Sequence, residues 1–117
     1  MTETTSIPID QLPATIRGYL AAHVARDTDT ALRAFAPTAV VVDDGSTYRG
    51  TDEIRAFLGT AGSEFTYTTT LVGAERTDDT HWVAVNHLEG DFPGGVVDLR
   101  YRFALDGDLV TELVIAP

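Results

Sequence analysis

The order of patterns along the chain constrains its fold more than any single motif. Helical spacing occupies most of the first half, and strand patterns fill the second. Leu12, Ile16, Tyr19, Leu20, His23 and Val24 recur at intervals that place them on one stripe of a helix. Asp10 is placed to cap that helix, and Pro13 falls in its first turn, where a missing N–H costs little. The Arg26-Asp27-Thr28-Asp29 stretch ends it and offers caps for a short second helix, with Leu32 and Phe35 on the buried side and Pro37 as the stop. A valine-rich strand, Ala39 to Asp43, turns at Asp44-Gly45 and returns through Thr47, Tyr48 and Arg49. Thr51 then caps a third helix. Asp52 and Glu53 suit the positive end of its dipole, Ile54, Phe57 and Leu58 face inward, and Gly59 and Gly62 weaken its end.

The remainder reads as four strands: Phe65 to Arg76, His81 to Glu89, Val97 to Leu105, and a last strand ending at Ile115. Phe92-Pro93-Gly94-Gly95 and Asp106-Gly107-Asp108 supply turn chemistry between them. Helices segregated from a run of strands indicate an α+β domain in which the helices cover one face of a curved sheet. Residues 1–10 read as a loose, flexible arm, and residues 11–117 as a single domain.

Alternation assigns faces. Val97, Leu99, Tyr101, Phe103 and Leu105 share the helix-covered side, which leaves Asp98, Arg100 and Arg102 on the other. In the last strand Leu109, Thr111, Leu113 and Ile115 oppose Val110, Glu112 and Val114. That outer face is half apolar, so a homodimer built through the outer face of the sheet is expected.

Composition excludes several function classes. The net charge of −10 argues against nucleic acid, whose phosphates need a basic surface, and against an anionic membrane. All eight basic residues are arginine. With no cysteine, disulfides and thiolate metal sites are ruled out. Met1 to Asp10 lacks both a basic start and an apolar run, so neither signal nor transit peptide is expected, and the protein is expected to be cytoplasmic. His81 and His87 share a strand face but lie too far apart to ligate one metal by themselves, so no metal and no cofactor is expected.

Several stretches carry a family resemblance. Ile16-Arg17-Gly18-Tyr19-Leu20-Ala21-Ala22, Asp27-Thr28-Asp29, Leu32-Arg33-Ala34-Phe35, Val41-Val42-Asp43, and Arg49-Gly50-Thr51 with Ile54-Arg55-Ala56-Phe57 resemble nuclear transport factor 2-like domains. Val97 to Phe103 followed by Asp106-Gly107-Asp108 resembles the late strands of the SnoaL-like branch. The resemblance implies a cone-shaped, cystatin-like α+β fold: three helices from the N-terminal half packed on a strongly curved, mixed but mostly antiparallel sheet that encloses a pocket. It specifies fold more than activity, because this fold hosts many functions.

Ketosteroid isomerases of this superfamily use a helix tyrosine and a protonated aspartic acid to hold an oxyanion, and a second aspartate as base; general treatments of pKa tuning use them as a worked case. By resemblance Tyr19 falls on the tyrosine and Asp43 on the base, the two catalytic candidates. The hydrogen-bonding acid falls on Leu99, so ordinary ketosteroid isomerisation is not implied.

From the residues themselves, Tyr19 on a buried stripe needs an interior partner for its hydroxyl, either a ligand, Asp43, backbone or water. Asp43 closes a run of valines: burial would raise its pKa and suit it to proton abstraction, or it orders the adjoining turn. His23, four residues after Tyr19, is either a second polar group of the pocket or a histidine satisfied at the helix end. Trp82, Tyr48, Phe57, Phe65, Tyr67 and Tyr101 are core aromatics by default, with Phe57, Tyr101 and Leu99 expected at the pocket wall. Asp98 and Arg100 read as an outer-face ion pair. The expected function is binding of a small hydrophobic molecule, with isomerase, cyclase or lyase chemistry by proton abstraction. The alternative is a non-enzymatic ligand-binding or protein-interaction domain.

Overall fold

The computed structural model describes residues 4–60 and 66–117. Three helices and seven strands follow in the order β1 (Thr5–Ile7), α1 (Ala14–Val24), α2 (Thr28–Leu32), β2 (Phe35–Asp43), β3 (Ser46–Arg49), α3 (Gly50–Thr60), β4 (Tyr67–Asp78), β5 (His81–Gly90), β6 (Val96–Asp106) and β7 (Leu109–Ala116). The strands form one sheet in the order β1-β4-β5-β6-β7-β2-β3. Only the β2–β7 junction is parallel among these pairs. The helix-packed core holds Ile16, Tyr19 and Leu20 of α1, Ile54, Phe57 and Leu58 of α3, and Val41, Phe103 and Leu113 of the sheet. The α+β arrangement expected from the order of patterns is the one observed. Among the described residues no helix is long and apolar enough to cross a membrane.

Local chemistry explains the element boundaries and corrects several expectations. Asp10 does not cap α1; it lies in a short 3-10 turn over Ile9–Gln11, and Pro13 occupies the cap position. Pro13 holds Leu12 extended, so α-helical geometry cannot begin before the proline. Asp27 does cap α2, its carboxylate accepting from the Thr30 amide at 3.2 Å and from the Thr30 hydroxyl at 2.7 Å. Helix α2 ends at Leu32, and Phe35 opens β2 rather than closing the helix. At α3, Gly50 enters with φ +80°, and the Glu53 carboxylate turns back to accept from the Arg49 amide at 3.0 Å. Gly62 and Phe65 lie outside the described residues.

The loose arm expected at residues 1–10 is replaced, over Thr5–Ile7, by an edge strand antiparallel to β4. Ile7 pairs with Ala74 on the inner face and packs against the core. Apolar burial at one residue and a short ladder are enough to hold it.

The face assignment of β6 agrees with the alternation: Tyr101, Phe103 and Leu105 are buried and Asp98 and Arg102 exposed. In β7 the expectation holds for Leu113 and Ile115 inside and Glu112 outside, and fails at the start of the strand. Val110 is buried and Leu109 exposed, because Ala104 pairs with Glu112 while Leu105 pairs with Val110, leaving Thr111 as an extra residue. The bulge flips the register, so Val110, Leu113 and Ile115 share the inside.

The expected Asp98–Arg100 pair is also absent. Residues two apart on a strand lie roughly 7 Å from one another, farther than cross-strand neighbours. Asp98 meets His87 Nδ1 at 2.5 Å, and Arg100 Nη2 donates to Glu75 Oε1 at 2.6 Å across β5.

Candidate functional site

A cavity of about 550 Å³ opens between the end of α1, helix α3 and the inner face of the sheet. Asp43 reaches it through register. The Asp44-Gly45 turn, with φ of +51° and +79°, closes the β2–β3 hairpin, and β2 runs parallel to β7 with Asp43 opposite Ile115. Since Ile115 also pairs with Tyr101, the three share the inner face, and all three line the cavity. Desolvation, with the adjacent Asp44 carboxylate second, pushes the pKa of the half-buried Asp43 up.

Tyr101 supplies a hydroxyl on the same wall. Burial pushes its pKa far up, and the nearby Tyr67 and Asp43 reinforce the shift; hydrogen bonding from the Asn86 side chain works the other way. Asn86 is 3% exposed on β5, a polar side chain inside the core. Its alternation phase with Ala84 and Leu88 points it inward, but nothing in the residue type marks it for a site.

His23 lines the cavity from the last turn of α1, and its ring stacks on Tyr19 with centroids 5.8 Å apart. Burial, then the charge of Arg26, lowers its pKa, so it is neutral at pH 7. Phe57 and Leu99 complete the expected set at the wall.

Tyr19 sits elsewhere. It is 1% exposed, wedged edge-on against Phe35 and Phe103, and is not among the residues lining this cavity. Among the described residues its buried hydroxyl has no hydrogen-bond partner, and burial, with Tyr101, Asp43 and Tyr67 next in order, drives its pKa far up. The hydroxyl therefore stays a neutral donor in the layer behind the wall, near Tyr101 and Asp43.

Sequence reasoning missed the rim. Phe92 and Pro93, read only as turn residues, line the cavity together with Tyr67, Val96 and Val97. Tyr67 and Phe92 meet edge-on at 6.4 Å, and the turn is tied down where the Thr66 amide donates to Asp91 Oδ1 at 2.8 Å. Gly90 permits this closeness, since a Cβ there would lie 2.3 Å from the Thr66 carbonyl. The signal available was an aromatic and a proline inside a glycine turn, a costly place to expose apolar surface unless something covers it.

Among the described residues no group of three or more His, Asp or Glu side chains is placed to hold a metal ion. At the cavity itself the arrangement offers one carboxyl group of raised pKa, a neutral phenol donor in Tyr101 and mainly apolar walls. That combination can receive an uncharged organic molecule and take a proton from it.

Comparison with known proteins agrees with this fold. A candidate polyketide cyclase from Sinorhizobium meliloti superposes with a TM-score of 0.85 at 27% identity, covering 94% of this chain and all of the other. A Δ5-3-ketosteroid isomerase from Mycobacterium sp. gives 0.70 at 21% identity, covering 89% and 90% of the two chains. A Mycobacterium tuberculosis protein in complex with estradiol-17β-hemisuccinate gives 0.71 at 18%, covering 88% and 90%. No curated protein matches. The model of the SnoaL-like domain matches residues 16–112. The chain belongs to the SnoaL-like domain family, a branch of the nuclear transport factor 2-like superfamily.

Proposed function

We propose that the protein binds a small hydrophobic carbonyl compound in the cavity and that Asp43 abstracts a proton from the carbon next to the carbonyl. The observation that carries this reading is the position of Asp43: a carboxyl group whose proton affinity is raised by burial, on the wall of a mainly apolar cavity, on the same face as the Tyr101 hydroxyl. A base poised nearer neutrality is better suited to carbon acids than an ordinary carboxylate. The C–H electron pair moves into the new C=C bond and the carbonyl π pair onto oxygen, where Tyr101 donates a hydrogen bond. Tyr19 holds a second donor one layer deeper. Return of the proton to another carbon gives isomerase chemistry; attack or elimination by the enolate gives cyclase or lyase chemistry. The steroid ester bound by the structurally similar Mycobacterium tuberculosis protein supports the ligand class.

The test is exchange of the α-hydrogens of α-tetralone in D2O, followed by NMR. The wild-type protein should accelerate exchange above buffer, and D43N should reduce that acceleration by about a hundredfold. Equal exchange with both proteins would sink the base role.

One observation favours a second, non-enzymatic reading. Leu99 stands at the cavity wall where the resemblance implies an acid, which removes one oxyanion donor. Nile red binding without any α-tetralone exchange would select it.

The outer sheet face is the proposed homodimer surface. It carries Val85 between the paired charges Glu75–Arg100 and His87–Asp98, and Val114 and Val42 farther across the sheet, beyond β6. Light scattering at micromolar concentration reads the mass directly, and a monomer there would exclude it.

A further inference from the structure

We infer that a groove beside the cavity, running along α1 from His23 to Arg17, holds the extended tail of the ligand, and that this tail ends in a carboxylate or a similar anion. The inference rests on the reading of the cavity as a hydrophobic site. A space of about 490 Å³ lies between α1 and the inner face of β4 and β5, and His23 lines both it and the main cavity. Leu20 and Leu71 form its apolar floor. Ile9 and Val24 stand at its rim, 38% and 57% exposed, which is unusual placement for large aliphatic side chains with nothing over them.

Arg17 closes the far end. Arg17 and Val24 are seven residues apart on α1, two turns, so the groove runs roughly 10 Å along the helix. The Arg17 Nε donates to the Leu12 carbonyl at 3.0 Å, which fixes the guanidinium at the groove, and among the described residues no carboxylate pairs with it. Among the described residues Arg55, Arg76 and Arg100 are held by carboxylates, whereas Arg17 keeps its charge free at the end of an apolar trough. Its fork geometry suits a carboxylate or phosphate.

The main cavity disfavours that anion: among the described residues its walls carry Asp43 and Asp44 and no arginine. An amphipathic ligand is thus oriented by charge: apolar carbonyl end toward Asp43, anionic end away along α1. The overall negative charge opposes binding weakly, because charges beyond about 8 Å are screened at physiological salt.

The test uses three fluorescent dansyl compounds: dansylamide, dansylaminoundecanoic acid and the methyl ester of that acid. The wild-type protein should bind the acid about fivefold more tightly than the ester, the size expected of an exposed but well-oriented ion pair. R17M should bring the two affinities together, R17K should keep most of the difference, and dansylamide should bind all three proteins alike. Equal binding of acid and ester to the wild type, or an undiminished preference in R17M, overturns the groove. The two readings separate cleanly. Dansylamide bound without an acid preference leaves the cavity reading standing and removes the groove. An Arg17-dependent preference for the acid, with dansylamide unbound, does the reverse.

Discussion

Asp43 and Ile115 face one another across the parallel junction of the sheet, and this pairing turns the Asp43 carboxyl into the cavity rather than out to the hairpin turn. A shift of one residue in that register would place Val42 inside and Asp43 in solvent.

The position of Asp43 has a cost that can be measured. Its folded pKa is raised above the ordinary 3.8, first by burial and then by Asp44. The folded chain therefore holds this proton more tightly than the unfolded chain, and stability falls as pH climbs from 3.8 through the folded value. D43N removes the loss. Thermal unfolding should show D43N melting above wild type at pH 7, by up to about 4 °C, with the gap closing toward pH 4. A gap that widens toward acid would contradict the burial account.

Tyr19 separates packing from polarity. Its ring fills the space between Phe35 and Phe103, while its hydroxyl has no partner among the described residues. Leaving a buried polar group unpaired costs about 1–3 kcal/mol. Tyr19→Phe should therefore be neutral or stabilising by about 1 kcal/mol, whereas Tyr19→Ala should lose about 3–5 kcal/mol through the cavity it opens. Urea denaturation of both variants decides this. A loss above 1 kcal/mol in Tyr19→Phe would show that the hydroxyl is satisfied in solution.

The pKa values of His23 and His87 should lie in opposite directions from that of a free imidazole. His23 is pushed down by burial and by Arg26. His87 is pulled up by its hydrogen bond to Asp98 and then by Glu89 at 3.1 Å. His87 thus favours the folded state below its unfolded pKa, and that contribution fades as pH rises through the folded one. An NMR titration of the ring protons should place the two on either side of 6.5, and D98N should return His87 toward that value. His87 unmoved by D98N would mean that the close contact does not persist in solution.

How far the sequence could be read depended on where the physics is local. The Asp44-Gly45 turn, the Asp27 cap and the alternation of β6 are decided by neighbours along the chain, and each was legible. The extra residue at Thr111 was not, since a bulge depends on what lies across the sheet and leaves no mark on residue type. The same holds for the site. Asp43, His23, Phe57, Leu99 and Tyr101 could be named from periodicity and resemblance, and in the structure all five line one cavity. Tyr19 shares a helix face with His23, but depth within a packed layer is not written in periodicity. The partners of Arg100 and Asp98 were misread for a related reason: strand neighbours are farther apart than strand partners.

The sheet ends in a three-residue strand on one side and a four-residue strand on the other, β1 against the twelve-residue β4 and β3 against β2. Unpaired backbone along a long strand is a template on which a second chain can add itself, and short terminal strands are one of the ways proteins blunt it. Thr5–Ile7 therefore cover part of the β4 edge: trimming them would bare the ladder at Ala74, Glu75 and Arg76 without removing a residue that lines the main cavity. Handling of this protein, including the choice of which end carries a purification tag, should leave that small strand in place.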